Sequence, residues 1–201
     1  MGVSLMNQFT ETMKKSNYLL LMLAAGMLAF QSCGNSNSGK TDSTEQAAEA
    51  NEQKDNVHPE DSDFMVKAAD AGMAEVELGN LAQQNASDQR VKDFGAMMVK
   101  DHTKANDELK ALAATKNVTL PATLGEEHQK HFEEMKKMTG AEFDKHYMDM
   151  MVNDHQKVID MFESASENEK DLDVKAFASK TLPVLNSHLA SAKEVNDALK
   201  K

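Results

Sequence analysis

Met97-Met98-Val99-Lys100-Asp101-His102-Thr103-Lys104-Ala105-Asn106-Asp107 returns 53 residues later as Met150-Met151-Val152-Asn153-Asp154-His155-Gln156-Lys157-Val158-Ile159-Asp160, with seven of eleven positions identical. In each copy the second Met and the His are four residues apart, the spacing that puts two side chains on one helix face. Followed outward by threes and fours, the first copy extends into a seam of Val91, Phe94, Met98, His102, Ala105, Leu109 and Leu112. The second extends into Phe143, Tyr147, Met151, His155, Val158 and Phe162. Two more seams flank them: Phe64, Ala68, Ala71, Glu75, Leu78 and Ala82 on one side, and Val174, Phe177, Thr181, Leu185, His188, Ala192, Val195 and Leu199 on the other. Four amphipathic helices bury such faces only against one another, which predicts an all-α bundle of the four-helix type. Biased helical composition produces chance similarity, but Met-Met-Val-x-Asp-His is more specific than an apolar pattern and places the two helices that carry it in related positions.

Capping chemistry sets the expected boundaries. The first helix covers about residues 63–85, and the second about 88–116 behind a Ser87 cap. Residues 118–123, with Pro121, break the chain. The boxes Thr123-x-x-Glu126 and Thr139-x-x-Glu142 open a short third helix to about 138 and a fourth to about 166, and the fifth covers about 171–200. The short helix is expected in the connection between the two halves of the bundle.

The N-terminal region has a different character. Lys14-Lys15 precedes 13 apolar residues, 18–30, and then Gln31-Ser32-Cys33. A basic stretch, a short apolar run and a small residue before the cut are the marks of a secretory leader over residues 1–32, and 13 residues fall short of the roughly 20 that cross a bilayer. Phe30-Gln31-Ser32-Cys33 resembles the relaxed lipobox of Bacteroidetes-type lipoproteins, with Phe30 in place of the usual aliphatic residue. That resemblance implies lipidation of Cys33 and a partner in the membrane through the lipid anchor. Cys33 is the only cysteine, so no disulfide forms within the chain. Residues 33–60, rich in Asn, Ser, Gly, Glu and Gln, are expected to be a disordered tether, and residues 61–201 the folded domain. The chain carries a net charge of −11, which becomes −12 once residues 1–32 are removed; such a surface repels phosphate backbones and excludes nucleic acid as a partner.

Each seam is interrupted near its middle by one residue able to bind a metal or a proton: Glu75, His102, His155 and His188. One carboxylate and three imidazoles suit a single divalent ion, Zn, Fe, Mn or Cu. Asp101 and Asp154 adjoin two of the histidines and are placed to orient them. Counting from the turns puts Glu75 and His102 at heights differing by about 6 Å, and His155 and His188 by a similar amount. That mismatch keeps a second reading open, in which the four form buried hydrogen-bonded pairs, and acid–base catalysis is a third. Met98 and Met151, each one turn before a seam histidine, are read as core fillers ahead of copper ligands. His58, His128 and His131 are read as solvated, and Tyr147 as a core aromatic with a hydrogen-bonded hydroxyl.

The run from Ser62 to Leu199 resembles the bacterial domain-of-unknown-function family 4142. The matching pieces are Ala74-Glu75, Phe94-x-x-x-Met98-x-x-Asp101-His102, Phe143-Asp144-x-x-Tyr147 with Asp154-His155, and Leu182-Pro183-x-Leu185-x-x-His188. The resemblance implies a ferritin-like bundle and an envelope location, periplasmic or at the outer membrane. The Glu-x-x-His motifs that hold two metals in ferritin-like carboxylate proteins are absent from this sequence. The expected function is a cell-envelope binding or structural module with a possible single-metal site. The alternative is a ferritin-like, metal-dependent redox or stress-protection enzyme in the periplasm.

Overall fold

A computed structural model describes residues 42–201, and the leader, Cys33 and the first part of the expected tether lie outside the described residues. The described chain forms six α-helices and no strand: α1 (Ser43–Glu52), α2 (Pro59–Asn85), α3 (Gln89–Lys116), α4 (Glu126–Met135), α5 (Gly140–Asn168) and α6 (Leu172–Leu199). The short links 86–88 and 169–171 fold α2 with α3, and α5 with α6, into two antiparallel hairpins that pack with α2 against α5 and α3 against α6. α3 and α5, which carry the repeated motif, therefore face each other across the bundle diagonal.

Two buried aspartates fix the ends of this arrangement. Asp144 on α5 accepts from Ser87 N and Asp88 N at 3.0 Å each and from the Ser87 hydroxyl, which holds the α2–α3 turn. Asp61 on α2 accepts from Lys170 N at 2.8 Å and Asp171 N at 3.1 Å, which holds the α5–α6 turn. Each hairpin thus caps the turn of the other, satisfying backbone donors that would otherwise be buried without partners. Ser87 is drawn away by Asp144, so Asp88, and not Ser87, caps α3, accepting from Arg90 N at 2.9 Å.

The first hairpin ends at the Asp61 end of the bundle and the second begins at the Asp144 end, so residues 117–139 cross its full length. Here the structure departs from the expected tether. Residues 43–52 are helical, and α1 lies against α2 and clamps the crossover. Asn51, 3% exposed, donates to Thr119 O at 2.9 Å and accepts from Thr119 N at 2.7 Å, while Lys54 reaches Asn117 O at 2.8 Å. Asp42 caps α1 and also accepts from Glu126 N at the start of α4. That tertiary cap replaces the box expected at Thr123, and α4 starts at Glu126 behind Gly125. Thr139 does precede α5, but its side chain makes no capping bond.

The core divides into two apolar clusters. One gathers Phe64, Met65, Leu109, Phe162, Phe177 and Leu185, and the other Leu78, Phe94, Met98, Phe143, Tyr147 and Met151. Near the second, α2 and α3 approach closely: a Cβ on Gly79 would stand 2.7 Å from Gly95 O, a contact only glycine permits.

Asp144→Ala leaves three donors at the α2–α3 turn unpaired and should lower unfolding free energy by about 2 to 4 kcal/mol. Asp63→Ala, which removes an exposed pair with Lys67, should cost less than about 0.5 kcal/mol. Urea unfolding followed by circular dichroism measures both, and equal losses would mean the Asp144 cap is not what joins the hairpins.

Candidate metal centre

Glu75 on α2, His102 on α3, His155 on α5 and His188 on α6 meet between the two apolar clusters, each from a different long helix and all buried. The imidazole centroids form a triangle with sides of 5.3, 5.5 and 6.0 Å, and one nitrogen from each ring lies within 4.8 Å of the others. Glu75 Oε1 stands 3.6 Å from His155 Nδ1. The axial mismatch counted from the turns is closed by side-chain direction, because side chains lean toward the N-terminus of their own helix. In antiparallel neighbours that lean brings Glu75 and His102 toward one height, and likewise His155 and His188.

Two of the rings are held from behind. His155 Nδ1 is 2.9 Å from Met151 O, and His188 Nε2 is 3.1 Å from Asp101 Oδ2. These acceptors fix the donor on the rear nitrogen of each ring and leave the other nitrogen with a lone pair, the state of a metal-ligating histidine backed by a carbonyl or carboxylate. Asp154, the counterpart of Asp101 in the repeat, instead pairs with Lys157 at 3.2 Å on the surface.

The remaining polar atoms have no partner among the described residues: His102 Nε2, His155 Nε2, His188 Nδ1, Glu75 Oε2 and the Tyr147 hydroxyl. Tyr147 is buried as expected, but its hydroxyl is not hydrogen-bonded. Of the contacts the paired reading needs, His188 with Asp101 is within hydrogen-bond range at 3.1 Å, and Glu75 with His155 stands just beyond it at 3.6 Å. Met98 and Met151 are fully buried core side chains, as read from the sequence, and Met148 is buried with them.

Burial pushes His102 down to about 3, with repulsion from His188 and His155 adding to it. It also lowers His155 and His188, against the bonds to Met151 O and Asp101. Glu75 is pushed up to about 8 by burial, then by the charge of Asp154, with His128 opposing. At neutral pH the centre therefore holds three neutral imidazoles and a protonated carboxyl, and its ligand nitrogens are free of protons.

A cavity of about 30 Å³ adjoins the centre, bordered by Glu75, His102 and His155 and by apolar Leu109, Phe162 and Leu185. It is large enough for one or two water-sized ligands. His128 and His131 depart from their solvated reading. Both are half-buried on α4, within the crossover, and His128 Nδ1 lies 2.6 Å from Asp70. Nothing in the helical periodicity of so short an element as α4 announces this.

Residues 45–195 match the family described as domain of unknown function (DUF4142). The chain belongs to that family. The match begins inside α1 and covers most of α6, so the DUF4142 domain includes residues 45–60 of the segment that composition marked as tether. No curated protein and no solved structure matches the chain.

The buried groups make the stability of the metal-free protein depend on pH in two opposed ways. Glu75, raised from 4.5 to about 8, contributes fully below about pH 4.5, and that contribution is lost as pH rises through 8. His102, lowered from 6.5 to about 3, contributes fully above about pH 6.5, and that contribution is lost as pH falls toward 3. Between pH 5 and 8, Glu75→Gln should therefore remove a decline of on the order of a few kcal/mol. Urea unfolding in chelator at several pH values checks it; parallel curves for the two proteins would place the ionisation elsewhere.

Proposed function

We propose that this DUF4142 domain binds a single divalent transition-metal ion through His102, His155 and His188, with Glu75 as a fourth ligand, and that it does so as a lipid-anchored module of the cell envelope. The observation that carries the metal reading is the buried triad itself: one nitrogen from each of the three histidines lies within 4.8 Å of the others, and His102 Nε2, His155 Nε2 and His188 Nδ1 are buried with no partner among the described residues. Each uncompensated buried polar group costs about 1 to 3 kcal/mol, and a cation meets several of them at once. A tetrahedral ion binds imidazole nitrogen at 2.0 to 2.1 Å; nitrogens spread by up to 4.8 Å would each move inward by up to about 0.8 Å. Side-chain torsions absorb a movement of that size without displacing a helix.

The donor set favours ions that take imidazole, such as Zn, Fe or Cu, over Ca or Mg, which prefer oxygen. Glu75 gives up its proton to the ion's field on binding. The cavity beside the centre gives a second reading its footing: a metal-dependent enzyme needs an open coordination position, and a water-sized space lies against three of the four ligands. The envelope location rests on the leader pattern and on the lipobox-like Phe30-Gln31-Ser32-Cys33. No helix among the described residues is long and apolar enough to cross a membrane.

Protein purified without an affinity tag and loaded with zinc should hold one equivalent by elemental analysis, and the His102→Ala, His155→Ala double variant less than a tenth of that. At 100-fold excess over Kd the ion stabilises the fold by about 2.7 kcal/mol, so a chelator should lower the wild-type midpoint by about 5 to 10 °C and leave the double variant unchanged. An inert chelator together with zinc-free protein would return the centre to a structural role. For the anchor, Cys33→Ala should move the protein from the detergent phase to the aqueous phase on detergent partitioning, because in this reading the lipid on Cys33, and not the 13-residue apolar run, holds the protein to the membrane. Full retention in the detergent phase would mean that the lipid is dispensable.

A further inference from the structure

Ala71 on α2 and Val158 on α5 belong to two walls at once. Inward they line the small cavity with Glu75, His102 and His155. Outward they form part of a groove of about 480 Å³ bounded by α1, α2, α4 and α5. Both side chains are half-buried, and they are the two residues that the groove and the cavity share.

The outer groove has the chemistry of a cation site. Five carboxylates line it against two lysines, and each lysine is already tied to one of those carboxylates, Lys67 to Asp63 at 2.7 Å and Lys157 to Asp154 at 3.2 Å. His128 and His131 add imidazoles with centroids 6.5 Å apart. Asp70 engages His128 Nδ1, which leaves Nε2 as its available nitrogen, and His131 Nδ1 is buried with no partner among the described residues. These groups are spread too widely to close around an ion as the buried triad does, since that triad is the one set of three within 4.8 Å among the described residues. Loose, sequential ligation is what passage requires, because a tight site would hold the ion in place.

The groove between α2, α3 and α4 is built differently. A groove of similar volume there offers Glu77 and Asp107 with Lys110, and shares only Asn106 with the cavity. Asn106 is wedged against Gly72, where a Cβ would stand 2.0 Å from its Oδ1, so that side is a packed wall.

We propose that the groove under α1 and α4 is a loading vestibule, which takes a divalent transition-metal cation from solution and passes it between Ala71 and Val158 to the buried histidines. The inference rests on the metal-binding reading above. His128 and His131 act as transit ligands, and Val158 is the larger of the two partition side chains, the one that a substitution can shorten.

The test is stopped-flow binding of Co²⁺ to the full chain, read by the visible absorption of imidazole-bound cobalt. The His128→Gln, His131→Gln double variant should bind at least fivefold more slowly, with equilibrium affinity within twofold of wild type. Val158→Ala should speed association and dissociation together by at least threefold, again with little change in affinity. Normal rates in both variants, with the buried site still filling, would overturn the vestibule alone. So would a tenfold loss of affinity in the histidine variant, which would make those residues final ligands, or a rate change confined to Asn106→Ala. Absence of any cobalt signal in wild type would overturn the buried site and its vestibule together.

Discussion

Four ionisable side chains are held out of water between two apolar clusters, and the rest of the fold is arranged around that burden. Taking Glu75, His102, His155 and His188 out of solvent suppresses their charged forms and leaves ligand atoms without hydrogen-bond partners. A bundle can carry such a centre only if its walls do not shift. The glycine contact between α2 and α3, and the reciprocal Asp61 and Asp144 caps, tie each hairpin to itself and to the other. A one-residue slip of α5 against α2 would undo both the Asp144 cap and the approach of His155 to Glu75.

The repeated Met-Met-Val-x-Asp-His motif is used asymmetrically. Both copies send methionine and histidine into the core from diagonal helices, as their shared periodicity requires. Their aspartates diverge. Asp101 braces His188, while Asp154 faces the groove outside, where its charge bears on Glu75 from across the partition. One copy thus supports the centre from within, and the other links it to the surface.

The segment before α2 changes the account of the domain's outer layer. α1 buries little, chiefly Ala47 and Asn51, and docks through hydrogen bonds to a crossover strand of chain 68 residues away. By doing so it roofs the groove that leads to Ala71 and Val158, so the element with least hydrophobic reason to fold helps define the path to the centre.

The amino-acid sequence by itself determined the four long helices, their order and their inward faces, because amphipathic spacing over 27 to 29 residues leaves one way to bury the apolar stripe. It also named the four residues at the centre, since each is the polar interruption of an apolar seam. Only the tertiary structure decided that they meet. Counting along helix axes gives Cα heights and misses the opposed lean of side chains in antiparallel neighbours, which closes the gap. Tertiary contact likewise decided which groups cap which turns: Asp144 takes Ser87, and Asp42 takes the start of α4, in competition with local boxes of similar strength. α1 and the His128–Asp70 pair were invisible for the same reason. Their stabilising partners are distant in sequence, and a polar surface that folds by hydrogen bonding to another part of the chain leaves no periodic trace.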